Sequence, residues 1–396
     1  MQPLVISHFS IANSLGVGTT AVADALRNRH TGLAHCTFEN VALDTYVGEV
    51  AGLGSFRVCA DLADFDCRNN RLAQMGLEQD RLVDAVVAAR KKYGAGRIGV
   101  FMGTSTSGLL QTELAYRRRD PHTGALPPDF HYAETQNTFS LADFVQRYLR
   151  LAGPAYTISS ACSSTAKVFG SAARMIAAGM CDAAIVGGVD TLCLTTLYGF
   201  NSLGLVSHTP CRPYDVHRDG ISLGEGAGFA LLEKPSGPTN TPLMLLGIGE
   251  SSDAYHMSTP HPEGLGAKLA MQRALDSARM TPSDIDYINL HGTASKSNDA
   301  SEDQAVCGIF GSALPCSSTK GWTGHLLGAS GITEAIISLL AMQHDFMPGS
   351  LHTQHLDPAL KSNYLLHNKA ARVKRVLSNS FGFGGSNCSL ILGRAS

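Results

Sequence analysis

Short apolar runs alternate along the chain with longer stretches of helical periodicity. Residues 97–101 (RIGVF) form an apolar run before the segment GTSTSG, and residues 155–159 lead into a helical pattern at 163–178. Further apolar runs occur at 183–186, which ends in two glycines, and at 287–290. Strands that alternate with helices are typical of parallel β-sheet with helices on both faces. The pattern therefore predicts an α/β protein.

One segment has the composition of a linker between domains. Residues 233–242 (EKPSGPTNTP) are rich in Pro, Gly, Ser and Thr. A boundary there divides the chain into parts 1–238 and 239–396. Each part carries a glycine-flanked loop and a strand-to-helix turn with a reactive side chain, which hints at a distant internal duplication.

Composition narrows the possible functions. Charged residues make up 16% of the chain, against about 25% in an average soluble protein, which favours dense packing and association between chains. With 31 basic and 33 acidic residues, no overall field favours nucleic acid. No apolar run is long enough for a membrane-spanning helix. The ten cysteines are scattered without a C-x-x-C pair, so we expect no structural zinc and a reducing cytoplasm.

The first candidate for chemistry is Cys162, within residues 153–170 (GPAYTISSACSSTAKVFG). The pattern places it at the start of a helix, where free N–H groups and the helix dipole are expected to lower a thiol pKa. Small neighbours leave the sulfur approachable, with a backbone N–H nearby for an oxyanion. The alternative is a small buried cysteine that serves as a hydrophobic side chain.

Two further loops carry histidines. His291 follows an apolar strand in NLHGTAS, and His325 lies with Lys320 in STKGWTGHLLGASG. The second loop precedes a predicted helix at 332–342, with Glu334 in its first turn. A lone histidine is usually structural, but two such loops and a cysteine at a helix start together predict a nucleophile with two nitrogen partners.

Residues 378–387 (SNSFGFGGSN) alternate glycine with phenylalanine. This predicts a flexible turn whose N–H groups help to form an oxyanion hole, the alternative being an ordinary glycine-rich turn. Nucleotide binding is excluded because the chain has no GxxxxGK[ST] and no GxGxxG that opens a helix after a strand.

With these motifs the chain resembles the β-ketoacyl-acyl-carrier-protein synthases, the decarboxylating Cys-His-His condensing enzymes of the thiolase superfamily. Residues 186–190 (VGGVD) and 211–234 also match. The resemblance implies a thiolase-like fold of two similar halves in a five-layered α-β-α-β-α core. Residues 1–238 would carry the nucleophile and residues 239–396 the two histidines. It also implies a dimer, either of identical chains or with a related subunit.

The resemblance implies a role for each motif residue. Cys162 matches the acyl acceptor, while His291 and His325 match the pair that supports malonyl decarboxylation and stabilises the enolate. Lys320 matches a lysine that organises the second histidine, and Glu334 the acidic residue of that network.

Other implied roles concern substrate binding. Phe383 matches a gate residue, and its backbone N–H, with that of Cys162, matches the oxyanion hole. Thr293 and Ser295 match hydroxyls that bind the pantetheine amides, although the family usually has threonine at the second position and Thr-Pro where Lys296 and Ser297 follow. Thr106 matches a position that limits the acyl pocket. Basic residues predicted to dock the carrier are Arg68 and Arg71, with 117–119 as a weaker candidate.

The resemblance predicts a two-carbon extension of an acyl chain held on Cys162. It implies an acyl carrier protein as partner, which supplies the phosphopantetheine arm, and no metal or organic cofactor. The pathway stays open between fatty acid and polyene or polyketide synthesis. An alternative is one subunit of a ketosynthase/chain-length-factor pair. A silent partner subunit and a thiolase are disfavoured because the nucleophile and both histidines are present.

Several charged residues are expected to be structural. Asp299 and Glu302 would support the His291 loop, and other charges should be paired because an unpaired buried charge is costly. Those paired charges are Asp215, Arg218, Asp219 and Glu225. The resemblance also leaves open a monovalent cation near Asn289, Glu334, Ser378 and Asn387.

Overall fold

The computed structural model of the protein describes residues 1–235 and 242–394. The predicted domain boundary between residues 238 and 239 therefore lies outside the described residues. No helix among the described residues has the length and apolar character needed to cross a bilayer. All ten cysteines are free thiols.

The described residues form helices and strands that follow the predicted alternation. The helices are α1 (Thr19–Arg27), α2 (Arg68–Leu77), α3 (Leu82–Tyr93), α4 (Leu109–Arg117), α5 (Ser140–Tyr148), α6 (Ser164–Ala177), α7 (Leu194–Ser202), α8 (Leu265–Ala278), α9 (Lys296–Phe310), α10 (Lys320–Thr323) and α11 (Ser330–Gln343). The strands of the first part are β1 (Leu4–Asn13), β2 (Gly16–Val17), β3 (Ala34–His35), β4 (Tyr46–Gly48), β5 (Ile98–Gly103), β6 (Ala155–Ile158), β7 (Ala183–Asp190), β8 (Leu223–Gly224) and β9 (Gly226–Glu233). Those of the second are β10 (Leu243–Ser252), β11 (Tyr287–Asn289), β12 (Pro315–Ser317), β13 (Phe346–Met347), β14 (Asn363–Tyr364), β15 (Lys369–Ala370), β16 (Arg375–Gly382) and β17 (Ser386–Arg394).

The main sheet has the same strand arrangement twice. In the first half the order is β6-β5-β7-β9-β1, and in the second it is β12-β11-β16-β17-β10. Taken in chain order within each half, both read third, second, fourth, fifth, first. The first three strands of each row are parallel and the remaining pairs antiparallel. This repeated topology supports the internal duplication that the sequence only hinted at.

Helices fill three layers around the two halves of the sheet. Helices α6 and α11 pack together in the centre, and α11 (SGITEAIISLLAMQ) is buried along nearly its whole length, as its mostly apolar sequence requires. Helices α2, α3 and α5 cover the outer face of the first half. Helices α8 and α9 cover that of the second half. The predicted five-layered α-β-α-β-α core is therefore confirmed.

Three local predictions need correction. The sheet is mixed rather than purely parallel. Strand β7 continues through Gly187 and Gly188, because the missing side chains let Gly228 and Gly103 approach closely. The segment 378–387 is mostly a hairpin of β16 and β17, and only 383–385 form a turn.

Candidate active site

Cys162 lies where the chain turns sharply from β6 into α6. It immediately precedes Ser163, the N-cap of α6, as the sequence predicted to within a residue. Ala161 just before it has a positive φ of 50°, a conformation that alanine rarely adopts. The turn holds the sulfur at the inner end of the central layer, where Cys162 is 5% exposed.

His325 is in direct contact with this cysteine. Its Nε2 lies 3.1 Å from the Cys162 Sγ, and its Nδ1 lies 3.0 Å from the hydroxyl of Ser330, the first residue of α11. Helix α11 begins two residues before the predicted start, so Glu334 falls in its second turn. Because a hydroxyl can donate or accept, Ser330 is compatible with either neutral tautomer of His325.

His291 follows β11 and completes the cluster. A ring nitrogen of each histidine and the Cys162 Sγ lie within 4.8 Å of one another, with the two imidazoles edge to face at 5.4 Å. Lys320 approaches His291 from behind: its Nζ lies 3.3 Å from Nδ1 and also bonds the His291 carbonyl and Glu334. The expectation that Lys320 organises the second histidine is therefore wrong, since it contacts the first.

The charge state of the thiol differs from the sequence prediction. Burial raises the pKa of Cys162 to about 11, although the Lys320 ammonium and the Phe383 N–H favour the thiolate. Desolvation of a fully enclosed sulfur outweighs the helix start. Burial also holds the pKa values of His291 and His325 well below the ordinary range, with Lys320 adding to the effect. The resting site therefore contains a neutral thiol and two neutral imidazoles.

The Lys320–Glu334 pair is buried beneath these groups. Both side chains are almost fully enclosed. Burial raises the pKa of Glu334 to about 7, against the opposing charge of Lys320. Lys320 has Glu334 as its carboxylate partner, and its remaining contacts fix the ring and backbone of His291.

The hairpin between β16 and β17 supplies the second wall. The Phe383 N–H lies close enough to the Cys162 sulfur to favour its thiolate form and so to lower its pKa. A Cβ on Gly382 would lie 2.8 Å from the Ser160 carbonyl oxygen and 3.3 Å from the Cys162 nitrogen, so only glycine lets the hairpin come this close. The Phe383 ring is 37% exposed and lies 5.5 Å from that of Phe200. The backbone N–H groups of Cys162 and Phe383 are thus both near the sulfur.

A narrow cleft opens onto the cluster. The apolar part of its lining includes Phe200, Leu205 and Ile221. Hydroxyl and amide groups also line it. They belong to Ser258, Thr259, Thr293, Ser295, Ser297, Asn298 and Asn387.

Of the predicted substrate-binding residues, Thr293 and Ser295 line this cleft with hydroxyls 3.0 Å apart. Ser295 also caps α9 by accepting from the Asn298 N–H. Thr106 is not brought into the cleft. Its side chain is 3% exposed, and its hydroxyl donates to Asp190 at 2.8 Å.

The predicted carrier-docking pair is not available as two free cations. Arg68 is 8% exposed, and its guanidinium is bonded to Glu225 and Glu49. Arg68 is therefore a structural residue, and the docking prediction for it is wrong. Arg71 is half-buried and forms a bidentate pair with Asp66, so its charge is largely compensated.

The charges expected to be structural mostly have partners. Glu302 accepts from the N–H groups of His291 and Gly292, and Asp299 lies 3.4 Å from Arg218. Asp215 accepts hydrogen bonds from backbone N–H groups and does not form an ion pair with a side chain of the described residues. Asp219 departs from the prediction, being exposed and bonded to a serine hydroxyl.

Three buried oxygens near the Lys320–Glu334 pair have no hydrogen-bond partner among the described residues. They are Asn289 Oδ1, Glu334 Oε2 and Ser378 Oγ. Asn289 and Ser378 are neighbours on parallel strands, and the Asn289 amide reaches the Glu334 carbonyl at 3.5 Å. Oxygen donors of this kind fit a monovalent cation or a water molecule. Asn387 instead bonds Asp253 at the cleft.

Sequence analysis missed the part of the site that follows β10. Asp253 lines the cleft and accepts from Asn387 at 2.7 Å, and the loop after it contributes His256 and Pro260. Phe200 on α7 was also missed. A carboxylate and a histidine directly after the apolar residues of β10 were the only available signal, and α7 offered none.

Comparison with known proteins gives one consistent result. The profile described as "Beta-ketoacyl synthase, N-terminal domain" matches residues 2–236, and that of the C-terminal domain matches 244–354. The 3-oxoacyl-[acyl-carrier-protein] synthase 2 of Rhizobium meliloti is 36% identical over 314 residues, which is 75% of this chain and 74% of that protein. The synthase 2 of Staphylococcus aureus is 32% identical over 372 residues, 85% of this chain and 90% of that protein.

Solved structures agree with these matches. The ketosynthase ApeO of Xenorhabdus doucetiae, solved in complex with its chain length factor ApeC, superposes with a TM-score of 0.90 at 38% identity. That match covers 100% of this chain and 98% of the other. A β-ketoacyl synthase of Burkholderia phymatum superposes with a TM-score of 0.88 at 28% identity, and each chain is covered completely.

Proposed function

The chain belongs to the β-ketoacyl synthase family, and from this premise we propose that Cys162 carries the acyl chain during the reaction. The reaction is a decarboxylative Claisen condensation that extends an acyl chain by two carbons from a malonyl unit. The 3.1 Å contact between the Cys162 Sγ and the His325 Nε2 carries the assignment. It joins a nucleophile to a base inside a cleft whose lining is partly apolar and partly polar.

Acylation begins from the neutral thiol. A pKa of about 11 leaves little thiolate at neutral pH, so the thiol proton passes to the unprotonated Nε2 of His325 as the sulfur attacks. The sulfur forms a new thioester bond while the carbon–sulfur bond to the carrier's arm breaks. The departing arm takes up the proton, and the N–H groups of Cys162 and Phe383 face the oxygen of the tetrahedral intermediate.

Condensation then uses both imidazoles. Lys320 has no lone pair and therefore donates to the Nδ1 of His291, which places the His291 proton on Nε2, facing the cleft. A neutral N–H there stabilises the enolate oxygen as the malonyl carboxylate leaves as CO₂. The enolate carbon attacks the acyl-cysteine and the carbon–sulfur bond to Cys162 breaks. A proton from solvent then reaches the thiolate by way of the His325 Nε2.

The substrate arm is supplied by the partner. We infer that a phosphopantetheine arm from an acyl carrier protein lies in the cleft, where Thr293 and Ser295 meet its amides. We propose that the thiol and the two imidazoles supply the proton transfers and that the reaction uses no metal or organic cofactor. Ten free thiols suit the reducing cytoplasm in which we expect the protein to work.

A second candidate concerns the assembly rather than the chemistry. The 38% identity and whole-chain superposition with ApeO, which was solved with a chain length factor, favour a related subunit as the partner of this chain. The catalytic cluster here is intact, so this chain would be the active subunit of such a pair.

The test is intact-protein mass spectrometry after mixing the protein with carrier proteins that bear acyl groups of increasing chain length. Wild type should gain the mass of the acyl group, and Cys162→Ala should not. Malonyl-carrier protein should then discharge the adduct as a product two carbons longer. The chain lengths accepted separate a general fatty acid enzyme from a specialised one.

Two other outcomes are informative. An adduct that persists in Cys162→Ala would overturn the assignment of the nucleophile. Absence of any adduct from the isolated chain, with an adduct once a related subunit is added, would establish the heterodimer.

A further inference from the structure

Asp190, the last residue of β7, is a fully buried carboxylate surrounded by neutral donors. Its Oδ1 accepts from the hydroxyls of Thr104 and Thr106 and from the N–H groups of Ser105 and Thr106, all at 2.7–2.8 Å. Its Oδ2 accepts from the Ser105 hydroxyl at 2.5 Å. No arginine, lysine or histidine of the described chain pairs with it. A buried charge of this kind is retained only where its hydrogen bonds are complete.

The sixth donor comes from the other half of the molecule. The Gly328 N–H reaches Oδ2 at 2.5 Å. A Cβ on Gly328 would lie 2.7 Å from that oxygen, so this position needs glycine for the contact. The Gly328 carbonyl is held in turn by the Thr165 hydroxyl at 2.6 Å, from the helix that follows Cys162. The peptide at Gly328 is thus fixed from both sides by residues of the first half.

Gly328 lies between His325, which is the proposed base, and the serine that contacts the other nitrogen of its ring. His325 is three positions before it, and Ser330, which holds the His325 Nδ1, is two positions after it. Leu327 has a positive φ of 51°, so this turn is held in an unfavourable conformation. Release of the Gly328 N–H would therefore let the turn relax and carry the imidazole away from the sulfur.

On its other side Asp190 holds the turn that follows β5. Both the N–H and the hydroxyl of Thr106 end on Oδ1, and Ser107 next to it has a positive φ of 46°. Gly108 is bonded to the Thr135 carbonyl at 3.0 Å, which ties this turn to the segment 131–137. One carboxylate therefore joins the Thr106 turn to the His325 turn.

We propose that Asp190 is a positioning residue that keeps the His325 imidazole within hydrogen-bond distance of the Cys162 sulfur. It also links the Thr106 turn to the His325 turn. The inference rests on the proposed function, because it assigns His325 the role of base. Asp190 touches neither the sulfur nor the cleft, so it acts through Gly328. Its charge also opposes formation of the Cys162 thiolate.

Asp190→Asn and Asp190→Glu separate charge from position. The asparagine removes the charge and presents an NH₂ group to donors, so kcat for acyl transfer should fall about 10- to 100-fold with little change in KM. Iodoacetamide should alkylate Cys162 faster at pH 8, since loss of a nearby negative charge favours the thiolate. The glutamate keeps the charge but displaces it, so kcat falls while the alkylation rate stays near that of wild type.

Asp303→Asn is the matched control. Asp303 is also a buried carboxylate with only neutral donors, namely the backbone N–H groups of Lys361 and Ser362 and the Ser362 hydroxyl. Its substitution should lower the melting temperature without moving the alkylation rate. If Asp190→Asn does not fold, Thr106→Val, which removes one donor at nearly constant volume, should still lower kcat.

The outcomes are distinct. The inference would be overturned if Asp190→Asn kept the kcat and the alkylation rate of wild type. It would also be overturned if Asp303→Asn changed both quantities as much as Asp190→Asn does. Failure of wild type to accept any acyl group would overturn the proposed function instead, because alkylation is measured without a carrier protein.

Discussion

At the scale of single residues, the proposed chemistry depends on a nucleophile that is uncharged at rest. Cys162 is enclosed by protein, and the favourable effects of Lys320 and the Phe383 N–H do not compensate for the lost solvation of a thiolate. The neighbouring base is likewise neutral because it is buried. In the proposed reaction, the thiol proton therefore passes to the imidazole as the new bond to sulfur forms, and the resting enzyme needs no preformed thiolate.

This charge state predicts a pH dependence for modification of Cys162. With a thiol pKa of about 11, the iodoacetamide rate should rise about tenfold per pH unit from pH 7 to 10, because the thiolate fraction does. Mass spectrometry of the modified peptide measures it, with Cys162→Ala as the control for the other cysteines. A rate that levels off near pH 7 would show a stabilised thiolate and contradict the prediction.

The Lys320–Glu334 pair predicts a separation of stability from activity. Lys320→Met leaves Glu334 buried without its cation, so the free energy of unfolding should fall by about 3–5 kcal/mol. Adding Glu334→Gln should restore much of that stability, because no charge is then left buried. Neither variant should decarboxylate malonyl-carrier protein at the wild-type rate, since His291 loses its donor. Denaturant unfolding and CO₂ release measure the two effects, and full activity in the double variant would exclude the role of Lys320.

At the scale of elements, a helix fixes the loop that carries His291. Glu302 on α9 accepts from the N–H groups of His291 and Gly292 and from the Asn379 amide on β16. The end of β11 is thereby held against two other elements. Burial raises the pKa of Glu302 to about 7.

Glu302→Gln should disturb this clamp in a pH-dependent way. Both oxygens of Glu302 accept hydrogen bonds, so the NH₂ group of a glutamine would face an N–H donor in place of one of them. This should destabilise the protein by about 1–3 kcal/mol and lower kcat. Because the folded pKa of Glu302 is raised from 4.5, its contribution to stability is fully present below pH 4.5 and is lost as pH rises through about 7. The difference in unfolding free energy between wild type and variant should therefore shrink across that window. Urea titrations at pH 5 and 8 test this, and an unchanged difference would contradict the raised pKa.

The β16–β17 hairpin predicts a contrast between two glycines. Gly382→Ala would push its Cβ against the Ser160 carbonyl, moving the Phe383 N–H away from the sulfur, so acylation should fall by tenfold or more, about the effect of losing one oxyanion donor. Gly384→Ala meets open space and bears only the strain of its positive φ of 83°, and it should retain most activity. Rates of adduct formation compare the two, and equal losses would point to general hairpin flexibility instead.

At the scale of the whole molecule, the repeated topology brings the two halves of the site together. The nucleophile begins α6 and the His325 loop leads into α11, and these two helices pack against each other in the central layer. Each half therefore contributes one reacting side chain from the segment just before its inner helix. The sheet ends at β6, whose outer edge has no further strand among the described residues.

That free edge predicts where a second chain pairs. The carbonyls of Pro154 and Ile158 accept from β5, so in a parallel ladder the Thr157 N–H points away from the sheet. Thr157→Pro removes this outward donor and should shift the particle mass from two chains toward the 41.8 kDa of one. Thr157→Val keeps the N–H and should stay associated. Light scattering measures the mass, and an unchanged mass in the proline variant would place the interface elsewhere.

Local sequence was sufficient to identify the candidate reacting groups. Cys162, His291, Lys320 and His325 each lie in a short motif that indicates a reactive side chain, and the structure brings all four together. The α/β class followed from the alternation of apolar runs with helical patterns, because that periodicity depends on nearest neighbours along the chain.

What only the tertiary structure decided depends on contacts between distant segments. The thiol pKa of Cys162 reverses its expected direction because enclosure by the second half outweighs the local helix start. Arg68 is a buried partner of Glu225, 157 positions away, and not a docking cation. Lys320 bonds His291, which lies 29 positions before it along the chain. Desolvation and charge pairing depend on how the interior packs. A short sequence motif does not specify which distant residue will contact it in the folded protein.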